Sequence, residues 1–110
     1  MQHSVEMYLL DISNSIDSIF EYLVEERNFK IYESSKLLRR AVEREFEIIG
    51  EATNRLIKID ISDSRRIVDL RNWVIHAYDN VDNVIIWGII HKDLPLLKKQ
   101  VSDLLKTKGL

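Results

Sequence analysis

Residues 35–57, SKLLRRAVEREFEIIGEATNRLI, decide the fold class. Leu38, Ala41, Val42, Ile48, Ile49, Ala52 and Leu56 recur at the i, i+3, i+4, i+7 spacing that lays one apolar stripe along an α-helix. Strand alternation is absent, and a 23-residue run is far longer than an ordinary strand. Gly50 interrupts the stripe at a cost of about 1 kcal/mol relative to Ala, which implies close packing there. Ser34 or Ser35 is placed to cap the helix start.

The same rhythm appears on both sides of this helix. Upstream, Leu9, Ile12, Ile16, Ile19, Phe20 and Leu23 predict a helix over residues 5–25, and residues 26–34 read as a connection. Downstream, residues 58–63 form a second connection, Ser62 or Ser64 can cap a third helix to about Ala77, and Asp79 to Asn83 ends it. Val84, Ile85, Trp87, Ile89 and Ile90 mark a fourth helix. Pro95 disfavours helical geometry at Leu94 but fits the first turn of a fifth helix bearing Leu97, Val101, Leu104 and Leu105. The expected architecture is a single all-α domain spanning 1–110, an antiparallel bundle of four to five helices.

Composition agrees. At 110 residues the chain has single-domain length, and its 45% hydrophobic residues suffice for one core. Three Gly and one Pro are too few for an all-β domain. The absence of Cys excludes disulfides, thiolate catalysis and Cys-based zinc sites. His3, His76 and His91 show no metal-ligand spacing, so neither a metal nor a cofactor is expected. A net charge of −2 argues against non-specific coating of nucleic acid, so any polyanion contact must be local. No run reaches the length of a membrane span, and the first residues lack the basic-then-apolar order of a signal peptide. Cytoplasm is the expected location.

Two charges sit where apolar residues belong. Arg71 has Ile67, Val68, Val74 and Ile75 as its i±3 and i±4 neighbours, all aliphatic. A guanidinium cannot shed its charge, so it must be paired or must meet an anion. Glu45 lies likewise among Ala41, Val42, Ile48 and Ile49. One reading is a Glu45–Arg71 ion pair within a plain bundle, where removing one partner costs roughly 3–5 kcal/mol. The other is an Arg71 oriented by Glu45 and offered to phosphate. Asn72 and His76 share a face at i, i+4, and Tyr78 follows two turns after Arg71. His76 is about 140° round an ideal helix from Arg71, so the two converge only if the helix unwinds or a second protomer completes the site.

Arg71-Asn72-Trp73-Val74-Ile75-His76-Ala77-Tyr78 is an instance of R-N-x3-H-x-Y. It resembles the signature of HepT-like toxins of the HEPN superfamily, the partners of MntA-type minimal nucleotidyltransferases. Glu43 to Ala52 resembles the family's second-helix segment, and Trp87 with Lys92 to Lys98 its C-terminal segment, so the likeness spans about residues 5–106. It implies a helical homodimer with facing motif helices and a metal-independent endoribonuclease of a toxin–antitoxin pair. Arg71 and His76 would be catalytic, Asn72 would support the site, and Tyr78 would receive AMP from the cognate antitoxin. Glu45 joins the supporting residues through the wheel reading above, as the carboxylate that orients Arg71. A rival expectation is a non-catalytic binding or regulatory subunit of a minimal nucleotidyltransferase.

Other charges read as solvated. Arg39, Arg40, Arg44, Arg65 and Arg66 could form a phosphate-binding rim, but interleaved Glu43 and Glu47 favour an ordinary surface. Lys98, Lys99, Lys106 and Lys108 read as solubilising, Trp87 and Phe46 as core or dimer contacts, and His91 as surface.

Overall fold

The computed structural model describes residues 2–24, 28–58 and 83–107, and among them the only regular structure is helical. Helix α1 spans Gln2–Tyr22, α2 Phe29–Ser34, α3 Lys36–Lys58 and α4 Asn83–Gly88. A π-helical turn over Ile89–Asp93 leads into α5, Leu94–Thr107. The all-α expectation holds. The expected third helix, from Ser62 or Ser64 to Ala77, lies outside the described residues.

Helix α1 packs chiefly on α3 and also on α5, while α2 bridges α3 and α4. Tyr22 reaches Glu45, whereas Tyr8 and Asp11 share a groove with Ile48 to Arg55. Positions rising along α1 therefore meet positions falling along α3, which makes the pair antiparallel. Leu9, Ile12, Ile16 and Ile19 from α1 and Val42, Ile49 and Leu56 from α3 are essentially sealed from solvent. Ile90, Leu94, Leu97, Val101 and Leu104 supply the third side of the core. Each such side chain contributes about 1.5–3 kcal/mol by burial, enough to hold together helices that would be marginal alone. Gly50 is buried, as its place in the stripe implies.

The connection expected over residues 26–34 contains a helix. Asn28 caps α2, its Oδ1 accepting from the Lys30 N–H at 2.9 Å, and Tyr32 anchors the helix with no exposed surface. Ser35 then serves two helices. Its N–H donates to the carbonyls of Ile31 and Tyr32, closing α2. Its Oγ accepts from the Leu38 N–H at 3.2 Å and its carbonyl from the Arg39 N–H, opening α3. Ser35 is thus the cap of α3, one of the two candidates.

The boundary expected before Pro95 is also different. Leu94 is helical (φ −58°, ψ −37°), and its N–H donates to the Ile89 carbonyl, five residues back. Proline lacks an N–H and its ring crowds the carbonyl four residues earlier. Widening the turn to the i→i−5 pattern carries the helix past Pro95 without a break.

The last helix is tied to the first by Lys98. Its Nζ donates to Ser13 Oγ at 2.6 Å and to Asp17 Oδ2 at 2.8 Å. Lys98 is therefore a cross-helix link rather than a solubilising charge. Phe46 is buried in the core, as expected. Trp87 sits among Phe29, Tyr32 and His91, whose ring meets it edge-on at 4.4 Å. His91 is exposed, as read, with one edge packed on the indole. No helix among the described residues is long and apolar enough to cross a membrane.

Candidate functional site

Of the residues singled out for chemistry, Glu45 lies within the described structure. Arg71, Asn72, His76 and Tyr78 lie outside it, and so does any Glu45–Arg71 pair. The buried face of α3 centres on Val42, Phe46, Ile49, Thr53 and Leu56. Thr53 is accommodated there because its hydroxyl donates to the Ile49 carbonyl at 2.8 Å. Glu45 lies to one side of that face, on a stripe with Ala41 and Ile48, and all three are half-buried. Its depth is less than its aliphatic neighbours suggest.

Glu45 has a partner that sequence reading did not flag. Tyr22, near the end of α1, donates its hydroxyl to Glu45 Oε2 at 2.8 Å. Losing that donor proton costs the carboxylate its hydrogen bond, so Glu45 raises the phenol's pKa above its ordinary value. Burial and the carboxylate's negative charge push the same way, while a hydrogen bond with Ser18 opposes them. No local pattern announces Tyr22, since it is an exposed aromatic on the outer side of a helix and its partner is 23 residues away. The second carboxylate oxygen has no partner among the described residues and remains an acceptor for a donor such as a guanidinium.

A groove of about 360 Å³ continues along the same side of the α1–α3 pair, lined by Tyr8, Asp11, Ile48, Glu51, Ala52 and Arg55. Arg55 is engaged by Glu51 at 3.5 Å. With Asp11 present, the described lining residues carry two carboxylates against one cation, a balance that disfavours phosphate. Among the described residues, no three His or carboxylate side chains converge as metal ligands.

The chain belongs to the Ribonuclease HepT-like family, whose model matches residues 12–104. That span includes the Arg71 to Tyr78 motif and all of α3. The chain is 33% identical over 107 residues to "Putative RNase MJ1380" of Methanocaldococcus jannaschii, covering 92% of this chain and 96% of the relative. It is 34% identical over 112 residues to "Probable ribonuclease HepT" of Thermococcus cleftensis, covering 96% and 100% respectively. A third relative, "Gamma-glutamylcyclotransferase and putative RNase MJ0434" of M. jannaschii, is 32% identical, and there the match spans 50% of the longer protein. No solved structure matches. The family is a ribonuclease family of HEPN type, and the all-α fold fits it.

Proposed function

We propose that this protein is a metal-independent endoribonuclease toxin that acts as a cytoplasmic homodimer. The reading is carried by the family match over residues 12–104, which takes in the R-N-x3-H-x-Y motif. Arg71 and His76 are the catalytic pair in this reading, with Asn72 and Glu45 supporting the site.

The chemistry follows from the residue types. Cleavage begins when the ribose 2′-oxygen attacks the adjacent phosphorus and the bond from phosphorus to the 5′-oxygen breaks. The products are a 2′,3′-cyclic phosphate and a free 5′-hydroxyl. One base takes the 2′-proton and one acid returns a proton to the 5′-oxygen. An imidazole titrates near neutrality and serves either role. A guanidinium stabilises the charge that builds on the non-bridging oxygens. Each chain carries one His in the motif, so two protomers supply both proton-transfer groups. Glu45, steadied by Tyr22, supports Arg71 through its remaining carboxylate oxygen.

Tyr78 supplies the control point. An MntA-type nucleotidyltransferase antitoxin transfers AMP from ATP to the phenol oxygen with loss of pyrophosphate. The added phosphodiester puts a bulky anion seven residues along the chain from Arg71, and in this reading it competes with substrate phosphate.

The test is cleavage of a labelled RNA oligonucleotide, with EDTA present, by the wild type, Arg71→Ala and His76→Ala. Cleavage by the wild type, reduced at least 100-fold in each variant, is expected. Equal cleavage by wild type and His76→Ala removes the histidine from the mechanism. Intact-mass measurement after co-expression with the antitoxin checks Tyr78, and a Tyr78→Phe protein that still gains 329 Da (about the mass of one adenylyl group) refutes the assignment.

A further inference from the structure

Glu45 is the one glutamate of α3 that its own helix cannot pair. Its i±3 and i±4 neighbours are Ala41, Val42, Ile48 and Ile49. Glu43 has Arg39 and Arg40 at those spacings, Glu47 has Arg44 and Glu51 has Arg55, and the last two pairs close at 3.3 and 3.5 Å. Any partner of Glu45 must therefore come from another element.

Among the described residues that partner is the Tyr22 hydroxyl, 2.8 Å from Oε2 and carried by the last residue of α1. A phenol occupies one carboxylate oxygen but brings no charge. Glu45 is half-buried, and among the described residues no cation compensates it. A carboxylate partly withdrawn from water is costly until a cation meets it. Tyr22 thus fixes the group while leaving its charge and its second oxygen to a cation. In the reading above, that cation is Arg71.

Tyr22 is itself held. Ser18, one turn earlier on α1, hydrogen-bonds to the same hydroxyl, and because that bond favours the phenolate, Ser18 is the donor. Protons are therefore given from Ser18 to Tyr22 and from Tyr22 to Glu45. The Glu45 contact is the stronger influence and keeps the phenol above its ordinary value, so Tyr22 remains a donor wherever histidine titrates. The bond is poorly placed to add stability. Tyr22 is 39% exposed, and a hydrogen bond open to water replaces one that solvent would supply. Its effect is on direction, since an untethered glutamate samples several rotamers.

We propose that Tyr22 is a positioning residue for RNA cleavage, acting through Glu45 on the guanidinium that stabilises the transition state. The inference rests on the ribonuclease reading and adds to it a residue of α1, far in sequence from the R-N-x3-H-x-Y motif, whose loss slows the reaction without unfolding the chain. Misplacing a reacting group by about 1 Å costs on the order of 100-fold in rate. Tyr22→Phe keeps Glu45 and removes only its tether, so about 10-fold is expected.

The experiment compares wild type, Tyr22→Phe, Glu45→Ala and the double variant in single-turnover cleavage of a labelled RNA oligonucleotide. Binding of the uncleavable 2′-O-methyl form is followed by anisotropy. Tyr22→Phe should lower the rate about 10-fold, leave RNA affinity unchanged and move the melting temperature by no more than about 2 °C. Adding Tyr22→Phe to Glu45→Ala should cost nothing more, because no carboxylate is left to steady. Losses that multiply in the double variant overturn the proposal, since Tyr22 would then act apart from Glu45. A Tyr22→Phe protein that cleaves as the wild type does, or whose whole loss lies in RNA affinity, overturns it too. Ultraviolet titration of the phenol, taken as the difference between wild type and Tyr22→Phe, is a readout independent of RNA. It should lie above about 10 and fall in Glu45→Ala, and an ordinary value in the wild type means that the bond is not made in solution and sinks the proposal. Should Glu45→Ala fail to fold, Glu45→Gln removes the charge at constant size, and in that background the cost of Tyr22→Phe should shrink. A wild type that cleaves no RNA overturns the ribonuclease reading and this inference with it, whereas wild-type cleavage unaffected by Tyr22→Phe overturns the inference alone.

Discussion

Lys98→Met should loosen the join between α5 and α1 while leaving the helices themselves intact. The substitution keeps an unbranched stem of similar length and removes the ammonium. The lost contacts are the 2.6 Å bond to Ser13 Oγ and the 2.8 Å bond to Asp17. Hydrogen bonds to a charged group are each worth about 1.5–3 kcal/mol when shielded from water. Here Asp17 is more than half exposed and Lys98 about one-third, so the Asp17 half is screened to well under 1 kcal/mol. Ser13 is 8% exposed, and its bond keeps most of its value. A loss of about 1.5–2 kcal/mol is expected, equivalent to roughly 5–10 °C in melting temperature for a domain of this size. Urea unfolding followed by circular dichroism measures it, with Lys99→Met as the exposed control. Raising salt to 1 M should erase only the small Asp17 share, and Lys98→Met in a Ser13→Ala background should lose much less than in the wild type. A Lys98→Met protein as stable as Lys99→Met would refute the claim that this lysine ties the two helices.

Two other expectations follow from the structure. Ser35→Ala should destabilise by about 1 kcal/mol through loss of the α3 cap, read as a lower urea midpoint with unchanged slope, whereas Ser34→Ala, whose hydroxyl serves only the Ile31 carbonyl, should change little. Burial, with Glu43 nearby acting in the same direction and Arg39 against it, pushes the Tyr32 phenol up to about 12. The folded value exceeds the unfolded one of about 10, so this residue's contribution to stability is intact below pH 10 and is lost as pH rises from there through about 12. Tyr32→Phe should flatten the fall in stability over that window, and an alkaline unfolding profile identical to wild type would contradict the assignment.

How much of this was legible in sequence depends on the reach of each signal. The stripes of α1 and α3 repeat over more than twenty residues, so their period could be read and their core residues named. Helix α2 is six residues long, less than two turns, and a period cannot be recognised in so short a run. Its cues were the Asn28 cap and the burial of Tyr32, and the second is visible only once Trp87 and Phe29 are brought against it. Pro95 was read through the rule for an ordinary α-turn. The rule is correct for that turn and silent about the wider one that the chain adopts. The Arg71–Tyr78 motif was legible as an order of residue types, which is why it pointed to a family, while the convergence of its side chains is a matter of geometry that spacing alone leaves open.

The α3 surface shows a subtler failure of pattern reading. Alternating signs along a helix suggest neutralised pairs, but an i, i+4 pair has a direction set by the helix dipole and by the lean of side chains toward the helix start. Read with that direction, Glu51-x3-Arg55 is a pair, and Arg39-x3-Glu43 is two charges that happen to be near. The structure holds Glu51–Arg55 at 3.5 Å and no Arg39–Glu43 pair, but it also holds Arg44–Glu47 at 3.3 Å in the reverse order. Direction is therefore a preference of about 0.2–0.5 kcal/mol, too small to decide a pairing from sequence. Arg40 stands to Glu43 as Arg44 stands to Glu47, in the same order and at the same spacing, and of these two only Arg44–Glu47 closes, so what each side chain meets beyond its own helix decides the outcome.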